Sequence, residues 1–153
     1  MLNKEKITLQ GNLFTMDSLY FDGSYRKAKR TMGIGVTIRG IDGRTKFKLS
    51  KNYSFDAYPK NSNNVAEYLA LKKGLEYCLH SGITDIKVFG DSQLVINQMK
   101  GEWEISGGAY KQIAKECKKL TENFEFISFN WIPREDNTET DDLSKIEDAT
   151  PGV

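Results

Sequence analysis

The 153-residue chain has the length of a single domain, and a second independent core would be hard to accommodate. Its 22 Lys and Arg residues nearly balance its 21 Asp and Glu residues, so net charge does not indicate nucleic acid, a membrane or acidic substrates. No apolar run approaches the roughly 18 residues of a membrane span, and the first residues lack the apolar core of a secretory signal. These features predict a monomeric, cytoplasmic protein without a membrane partner.

The first part of the chain is predicted to contain strands. Residues 1–17 are interpreted as an N-terminal extension, either an added edge strand or a loose arm. An apolar run at 19–21 that ends at Asp22, and two alternating patterns at about 34–38 and 45–49, then indicate three strands. A basic loop, Arg-Lys-Ala-Lys-Arg, separates the first two strands, and a Gly-Ile-Asp-Gly turn separates the last two. The three strands are therefore expected to form an antiparallel meander.

The second part of the chain alternates between helical and extended patterns. The spacing of apolar residues predicts a helix from Asn64 to the Ser-Gly pair at 81–82. The elements that follow are a strand at 83–89, a helix carrying Leu94 to Met99, a helix at 110–120, a strand at 124–132 and a short helix at 137–145. Cys78 and Cys117 both lie in helical patterns and are predicted to be free, buried thiols.

This order of elements predicts an α/β fold. We expect a mixed five-stranded sheet, with its first three strands antiparallel and helices on both faces. The folded domain is predicted to span residues 18–146, and residues 147–153 are interpreted as a C-terminal tail. In sheets of this kind, ligands gather beyond the carboxyl ends of strands, near a change in strand order.

Four carboxylates lie at positions in the sequence that this fold is expected to bring close together. Asp22 and Asp91 follow apolar strands that would be neighbours, while Glu67 and Asp141 lie near the starts of helices. Clustered carboxylates repel one another unless cations intervene, and oxygen ligands without Cys or His favour Mg²⁺ or Mn²⁺. Two such ions about 4 Å apart support phosphoryl transfer. The four acids together therefore predict a metal site assembled from distant segments.

Each acid also has a local explanation. Asp22 fits an Asp-Gly turn, Glu67 fits a helix capping box, and Asp91 fits a helix cap. Asp141 fits a solvated acid within an acidic stretch of the chain. The prediction of a metal site therefore depends on the combination of the four acids.

Four motifs carry a resemblance to a known family. They are Phe-Asp-Gly-Ser at 21–24, Asn-Asn-Val-Ala-Glu at 63–67, Gly-Asp-Ser-Gln-Leu-Val at 90–95, and the stretch at 131–143 that ends in Asp-Asp-Leu. In this order and spacing, the chain resembles the type 1 ribonuclease H family over about residues 18–145. The resemblance implies a ribonuclease H-like fold and an endonuclease that hydrolyses the RNA strand of RNA/DNA hybrids. It also implies two Mg²⁺ or Mn²⁺ ions and products with 3′-hydroxyl and 5′-phosphate ends.

The resemblance also implies roles for individual residues. The catalytic and metal-binding acids would be Asp22, Glu67, Asp91 and Asp141, with Asp22 bridging both ions. Asn63, Asn64 and Gln93 would lie near the minor groove, where 2′-hydroxyls distinguish RNA from DNA, and Ser62 would contact a DNA phosphate. Further implied substrate contacts are Gly23 and Ser24, and implied supporting residues are Asn137 and Arg134.

The chain departs from some relatives at the connection between residues 98 and 110. Those relatives carry a long basic protrusion containing tryptophan, whereas this connection is short and contains only Trp103. Affinity for a hybrid is then expected to be lower, or to depend on the basic loop at 26–30 and on a lysine face. That face consists of Lys111, Lys115 and Lys118.

A second departure concerns histidine. Many relatives carry a histidine in the loop before the last acid, where it helps product to leave. This chain has a single histidine, His80, at the end of the first long helix, where a structural or capping role is expected. Arg134 or Glu135 are the candidates for assisting product release instead.

Three other functional classes are weighed against the nuclease. A 3′ to 5′ exonuclease of the same superfamily typically has a second acid two residues after its first, but Ser24 occupies that position here. A nucleic-acid-binding module without catalysis fits less well with the presence of all four acids. A structural domain with unrelated surface acids is the third alternative. Cleavage of double-stranded RNA is left open.

Overall fold

A computed structural model describes residues 16–147 and the backbone of residues 151–152. Its strands are β1 (Asp17–Arg26), β2 (Thr31–Arg39), β3 (Thr45–Ser54), β4 (Asp85–Gly90), β5 (Phe126–Trp131) and β6 (Pro151–Gly152). Its α-helices are α1 (Asn63–His80), α2 (Gln93–Met99), α3 (Lys111–Thr121) and α4 (Thr138–Ser144). Most of the predicted N-terminal extension lies outside the described residues. No helix of the described part is long and apolar enough to cross a membrane.

The strands form one mixed sheet in the order β5-β4-β1-β2-β3-β6. The pairs β1–β2 and β2–β3 are antiparallel, as predicted for the meander, while β4 is parallel to both β1 and β5. The predicted five-stranded sheet is therefore confirmed. The two-residue strand β6 adds to β3 in parallel at the edge, within the segment interpreted as a tail. Two residues carry no readable periodicity, which is why the pattern missed this strand.

The first strand is longer than its apolar run suggests. Asp22 was expected to end the strand, but β1 continues to Arg26 and pairs with β2 along its length, with Asp22 opposite Gly35. The parallel partner β4 stops pairing at Tyr20, opposite Phe89. Asp22 thus lies within a strand, just beyond the point where β4 ends. The Asp-Gly turn considered for Asp22 is wrong, because β2 supplies hydrogen-bonding partners beyond the apolar run.

Helices cover both faces of the sheet. Leu19 and Phe21 on β1 are fully buried on the face toward α1, in a core that also contains Val36 of β2. Because successive side chains on a strand point to opposite faces, Asp22 points to the face covered by α4. The buried cysteines, Cys78 and Cys117, are free, as predicted.

Small residues on β2 let α4 lie close to the sheet. A Cβ atom added to Gly35 would lie 2.3 Å from the carbonyl oxygen of Thr140 and 2.9 Å from the Cβ of Leu143. The buried hydroxyl of Thr140 donates to that of Thr37 at 3.1 Å. Glycine at position 35 therefore determines how near α4, and the acid it carries, approaches β1.

Replacement of that glycine tests the close packing. We expect Gly35→Ala to lower the free energy of unfolding by about 1–3 kcal/mol, because the new methyl group overlaps the backbone of α4. Urea denaturation followed by circular dichroism measures the change. Gly107→Ala is the matched control, since a Cβ there meets nothing within 4 Å. Equal stability of the two variants would contradict the close approach of α4.

Candidate active site

Three of the four predicted acids converge at one edge of the sheet. Asp22, Glu67 and Asp91 each offer a carboxylate oxygen, and these three oxygens all lie within 4.8 Å of one another. Asp22 comes from the interior of β1, Glu67 from the first turns of α1, and Asp91 directly follows β4. The parallel pairing of β1 with β4 brings two of these segments together. Asp22 and Asp91, which are 69 positions apart in the chain, thereby share one site.

Glu67 is held by the backbone of β1. The amide of Gly23 donates to Glu67 Oε1 at 2.9 Å. A Cβ atom on Gly23 would lie 2.3 Å from the carbonyl carbon of Ala66, so a glycine is needed for α1 to come this close. The helix cap is supplied by Ser62, whose hydroxyl accepts from the amide of Val65 at 3.1 Å. The capping box considered for Glu67 is therefore wrong.

Asp91 is likewise free of a capping role. The hydroxyl of Ser92 accepts from the amide of Val95 at 3.3 Å and caps α2. The Asp91 carboxylate instead accepts a hydrogen bond from Asn137 Nδ2 at 3.3 Å, and its main-chain carbonyl accepts one from the indole of Trp131 at 3.1 Å. Both contacts fix the acid against neighbouring elements.

Asn137 links the acid cluster to the first strand. Its Nδ2 donates to the carbonyl of Phe21 at 3.1 Å as well as to Asp91. Its Oδ1 is buried and has no hydrogen-bond partner among the described residues. A buried amide oxygen beside carboxylates is a site at which a water molecule or a hydrated ion is expected. The geometry is compatible with the supporting role predicted for Asn137.

Asp141 reaches the cluster through Asp22. It lies on α4, and Lys145, one turn later, donates to its Oδ2 at 3.0 Å. The Asp141 carboxyl group lies close enough to that of Asp22 to raise the Asp22 pKa, while its own pKa is lowered. The structure thus places Asp141 beside Asp22, although it is not one of the three acids whose oxygens lie within 4.8 Å of one another.

The acids perturb one another strongly. Burial raises the pKa of Asp22, which is 2% exposed, and the hydrogen bond with Asp141 and the charges of Glu67 and Asp91 raise it further. Burial also raises the pKa of Glu67, with the charge of Asp91 adding to the rise. Burial acts in the same direction on Asp141, but its hydrogen bonds with Asp22 and Lys145 outweigh that effect and lower its pKa. Without cations, the protein therefore favours protonated forms of Asp22 and Glu67.

The chemistry of this donor set suits a hard divalent cation. The converging ligands are all carboxylate oxygens, which Mg²⁺ and Mn²⁺ prefer. A bound ion would stabilise the carboxylate forms of Asp22 and Glu67 against the burial and the mutual repulsion that raise their pKa values. Arg134, a predicted supporting residue, is exposed in a turn before α4. Its charge acts against the burial-driven rise in the Glu67 pKa.

The predicted substrate contacts surround the acids at the ends of helices. Asn63 and Asn64 begin α1, and Gln93 begins α2; Asn63 and Gln93 are exposed and Asn64 is half-buried. The Ser62 hydroxyl oxygen accepts a hydrogen bond from the α1 backbone, which leaves its hydrogen available to donate to a substrate group. The Ser24 hydroxyl, in contrast, donates to the carbonyl of Ser144 at 2.7 Å. Substrate contact by these residues and by Gly23 stays a prediction.

The basic loop considered for nucleic-acid binding is largely tied to the protein. Arg26 is the last residue of β1 and donates to Thr31 at 3.1 Å and to the carbonyl of Ser144 at 3.2 Å. Lys29 pairs with Glu147, and Arg30 pairs with Asp56 at 3.3 Å. On the lysine face, Lys118 donates to the carbonyl of Met99 at 3.1 Å. These contacts reduce the basic surface that the sequence suggested.

Sequence reasoning missed one residue beside the acids. Ser144 is fully buried at the end of α4, and its hydroxyl donates to Asp22 Oδ2 at 3.2 Å. It stands three residues after Asp141, so helical spacing places both on one face of α4. That spacing was the available signal, but it identifies a site residue only after α4 is known to lie over Asp22.

Comparisons with known proteins agree with this architecture. Residues 20–146 match a family model described as Reverse transcriptase-like. The chain is 33% identical to Bacillus subtilis YpeP over 131 residues, covering 84% of this chain and 57% of that protein. It is 30% identical to ribonuclease HI of Halobacterium salinarum over 132 residues, covering 85% of this chain and 64% of that protein. Thus the chain spans little more than half the length of the first of these relatives.

A solved structure gives a fuller match. LC11-RNase H1, isolated from compost by a metagenomic approach and determined in complex with RNA/DNA hybrid, is 30% identical, with a TM-score of 0.73. The match covers 83% of this chain and 92% of that one. Sheet, helices and acidic edge together define the ribonuclease H-like class of folds. The chain belongs to the type 1 ribonuclease H family, which confirms the resemblance carried by the four motifs.

The raised carboxyl pKa values make a prediction about the metal-free protein. The stabilisation from protonated Asp22 is complete below the ordinary carboxyl pKa of about 4 and is lost as the pH rises toward the higher folded value. Asp22→Asn keeps the shape but cannot ionise. In chelator, we expect this variant to exceed the wild type in stability by about 1 kcal/mol or more at pH 8, and by less at pH 5.

Urea denaturation at the two pH values measures this difference. The control is Asp142→Asn, which removes the adjacent, exposed acid and should change stability by less than about 0.5 kcal/mol at either pH. If Asp22→Asn were no more stable than the wild type at pH 8, a folded-state Asp22 pKa raised by burial and by the neighbouring acids would be excluded.

Proposed function

We propose that this domain is an endonuclease that hydrolyses the RNA strand of RNA/DNA hybrids. The observation that carries the proposal is the convergence of Asp22, Glu67 and Asp91, with Asp141 beside them, in a member of the ribonuclease H family. A relative from that family, LC11-RNase H1, has been determined in complex with such a hybrid. The activity is proposed for the domain, because the chain covers only part of the curated relatives it matches.

Two Mg²⁺ or Mn²⁺ ions are proposed to act at the acid cluster. When bound, such ions activate a water and stabilise the charge that develops on the scissile phosphate and the leaving oxygen. Asp22, at the centre of the cluster, would contribute to both positions. Glu67, Asp91 and Asp141 approach it from α1, the end of β4 and α4, and would complete them. Products would carry 3′-hydroxyl and 5′-phosphate ends.

Recognition of the RNA strand is proposed to use the starts of α1 and α2. Asn63, Asn64 and Gln93 supply amide donors and acceptors next to the acids, which suits contacts with 2′-hydroxyls and base edges in the minor groove. Ser62 caps an 18-residue helix, whose N-terminal end favours a negatively charged group such as a DNA phosphate. The acids and these polar groups would then contact the two strands of one hybrid.

Other features of the protein stay predictions. These are a monomeric state, a cytoplasmic location, cleavage of double-stranded RNA, and the division into an extension at 1–17, a catalytic domain at 18–146 and a tail at 147–153. Sedimentation analysis and parallel assays on double-stranded RNA and double-stranded DNA test the first and third of them.

The catalytic assignment is tested by removing single carboxylates. We expect Asp22→Asn and Asp91→Asn each to reduce hybrid cleavage by more than about a hundredfold, which corresponds to about 2.7 kcal/mol of transition-state stabilisation. Cleavage of a labelled hybrid in Mg²⁺ and Mn²⁺ gives the rates, and excess chelator should abolish them. Asp142→Asn, the exposed neighbour of Asp141, should retain wild-type cleavage.

Two results would separate the alternatives. Binding of the hybrid without cleavage by the wild type, in either metal, would replace the nuclease with a nucleic-acid-binding module. Undiminished cleavage by folded Asp22→Asn would show that the acid cluster is not the catalytic site.

The substrate contacts are tested separately from the chemistry. We expect Asn64→Ala to raise KM for the hybrid by about two- to tenfold, the value of one hydrogen bond, with little change in kcat. Steady-state kinetics on a short hybrid measure both constants. Asn123→Ala is the control, because Asn123 is exposed in the turn before β5, whereas Asp91 follows the far end of the neighbouring parallel strand β4. A KM unchanged by Asn64→Ala would remove this residue from the binding surface.

A further inference from the structure

Ser144 connects two of the four acids. Its hydroxyl lies 3.2 Å from Asp22 Oδ2 and 2.7 Å from the main-chain carbonyl oxygen of Asp141. Because a serine hydroxyl carries one hydrogen, it is shared between these two acceptors. Ser144 therefore links the side chain of Asp22 to the main chain of Asp141.

The position of this hydroxyl is fixed by the sheet below it. The main-chain carbonyl of Ser144 accepts from the hydroxyl of Ser24 at 2.7 Å and from Arg26 at 3.2 Å. A Cβ atom on Gly33 would lie only 1.9 Å from that carbonyl oxygen, so the end of α4 rests directly on β2. Contacts from two strands hold the Ser144 backbone, and its side chain is fully buried.

The neutrality of this donor matters for a site that binds cations. A lysine or arginine at the same distance from Asp22 would orient the carboxylate but would also neutralise it, and so compete with a divalent ion. A hydroxyl orients the carboxylate without changing the net charge of the cluster. Groups that hydrogen-bond to metal ligands in this way set ligand orientation and tune metal affinity.

We propose that Ser144 is a positioning residue for the metal site. Its hydroxyl holds the Asp22 carboxylate in the orientation that divalent ions require, and it couples that carboxylate to the helix carrying Asp141. This inference rests on the proposed function, because it assumes that the acid cluster binds Mg²⁺ or Mn²⁺.

The test measures metal binding by the full chain without nucleic acid. Isothermal titration calorimetry with MnCl₂ gives the affinity of the wild type, Ser144→Ala and Thr140→Val. Thr140→Val is the matched control, since it also removes a buried hydroxyl from α4, but one that bonds to Thr37 rather than to an acid. We expect Ser144→Ala to weaken Mn²⁺ binding by about two- to tenfold, as for the loss of one hydrogen bond, and Thr140→Val to leave it unchanged.

A second variant covers the case in which Ser144→Ala does not fold. Ser144→Cys retains a side chain with a weaker donor, and we expect Mn²⁺ affinity between that of the wild type and the alanine variant. Circular dichroism confirms the fold of each variant. In cleavage assays, the Mn²⁺ concentration for half-maximal rate should rise by the same factor as the dissociation constant.

The outcomes distinguish this inference from the proposed function. Wild-type affinity in Ser144→Ala, or in Ser144→Cys where the alanine variant is unfolded, would overturn the positioning role and leave the nuclease proposal intact. Equal weakening in Thr140→Val would also overturn it, by showing a general effect of loosening α4. A wild-type protein that binds neither Mn²⁺ nor Mg²⁺ would overturn both.

Discussion

The structure depends on the burial of Asp22 among other carboxylates. This buried side chain projects from β1 toward α4, and Glu67, Asp91 and Asp141 lie around it. Bringing such groups out of water and close together is unfavourable unless protons or cations compensate their charge. The fold supplies the energy for this arrangement through a large apolar core on the opposite face of β1, so that the site is created at the expense of stability.

The positions of the acids are fixed by close packing of the helix backbones against the strands. Gly23 allows α1 to lie against β1 and lets a main-chain amide hold Glu67. Gly33 and Gly35 do the same for α4 on the other face. The amide of Asn137 then joins β1 to the acid beyond β4. The four acids thus come from rigid elements whose separations are set by contacts between backbones, which is the precision that a metal site requires.

Much of the fold could be read from local patterns. Alternation identified the meander of β1, β2 and β3, and helical spacing identified α1 and α3, because these periods follow directly from backbone geometry. The predicted strands were wrong where the alternation of apolar residues is interrupted or too short to recognise. Asp22 is polar within a strand, so β1 was ended too early, and β6 is too short to have a period. Arg26 was predicted to lie in a loop but is the last residue of β1. The local pattern could not show this, because its hydrogen-bond partners lie on β2 and α4.

The sequence by itself determined the class of fold and identified the four acids as candidates for one site, because these depend on residue type and on order along the chain. Only the tertiary structure decided that Ser62 and Ser92, rather than the acids, cap α1 and α2, and that the Ser144 hydroxyl meets Asp22. The physical reason is that hydrogen-bond partners far apart in the chain are set by how α1 and α4 pack on the sheet. No local period encodes that packing.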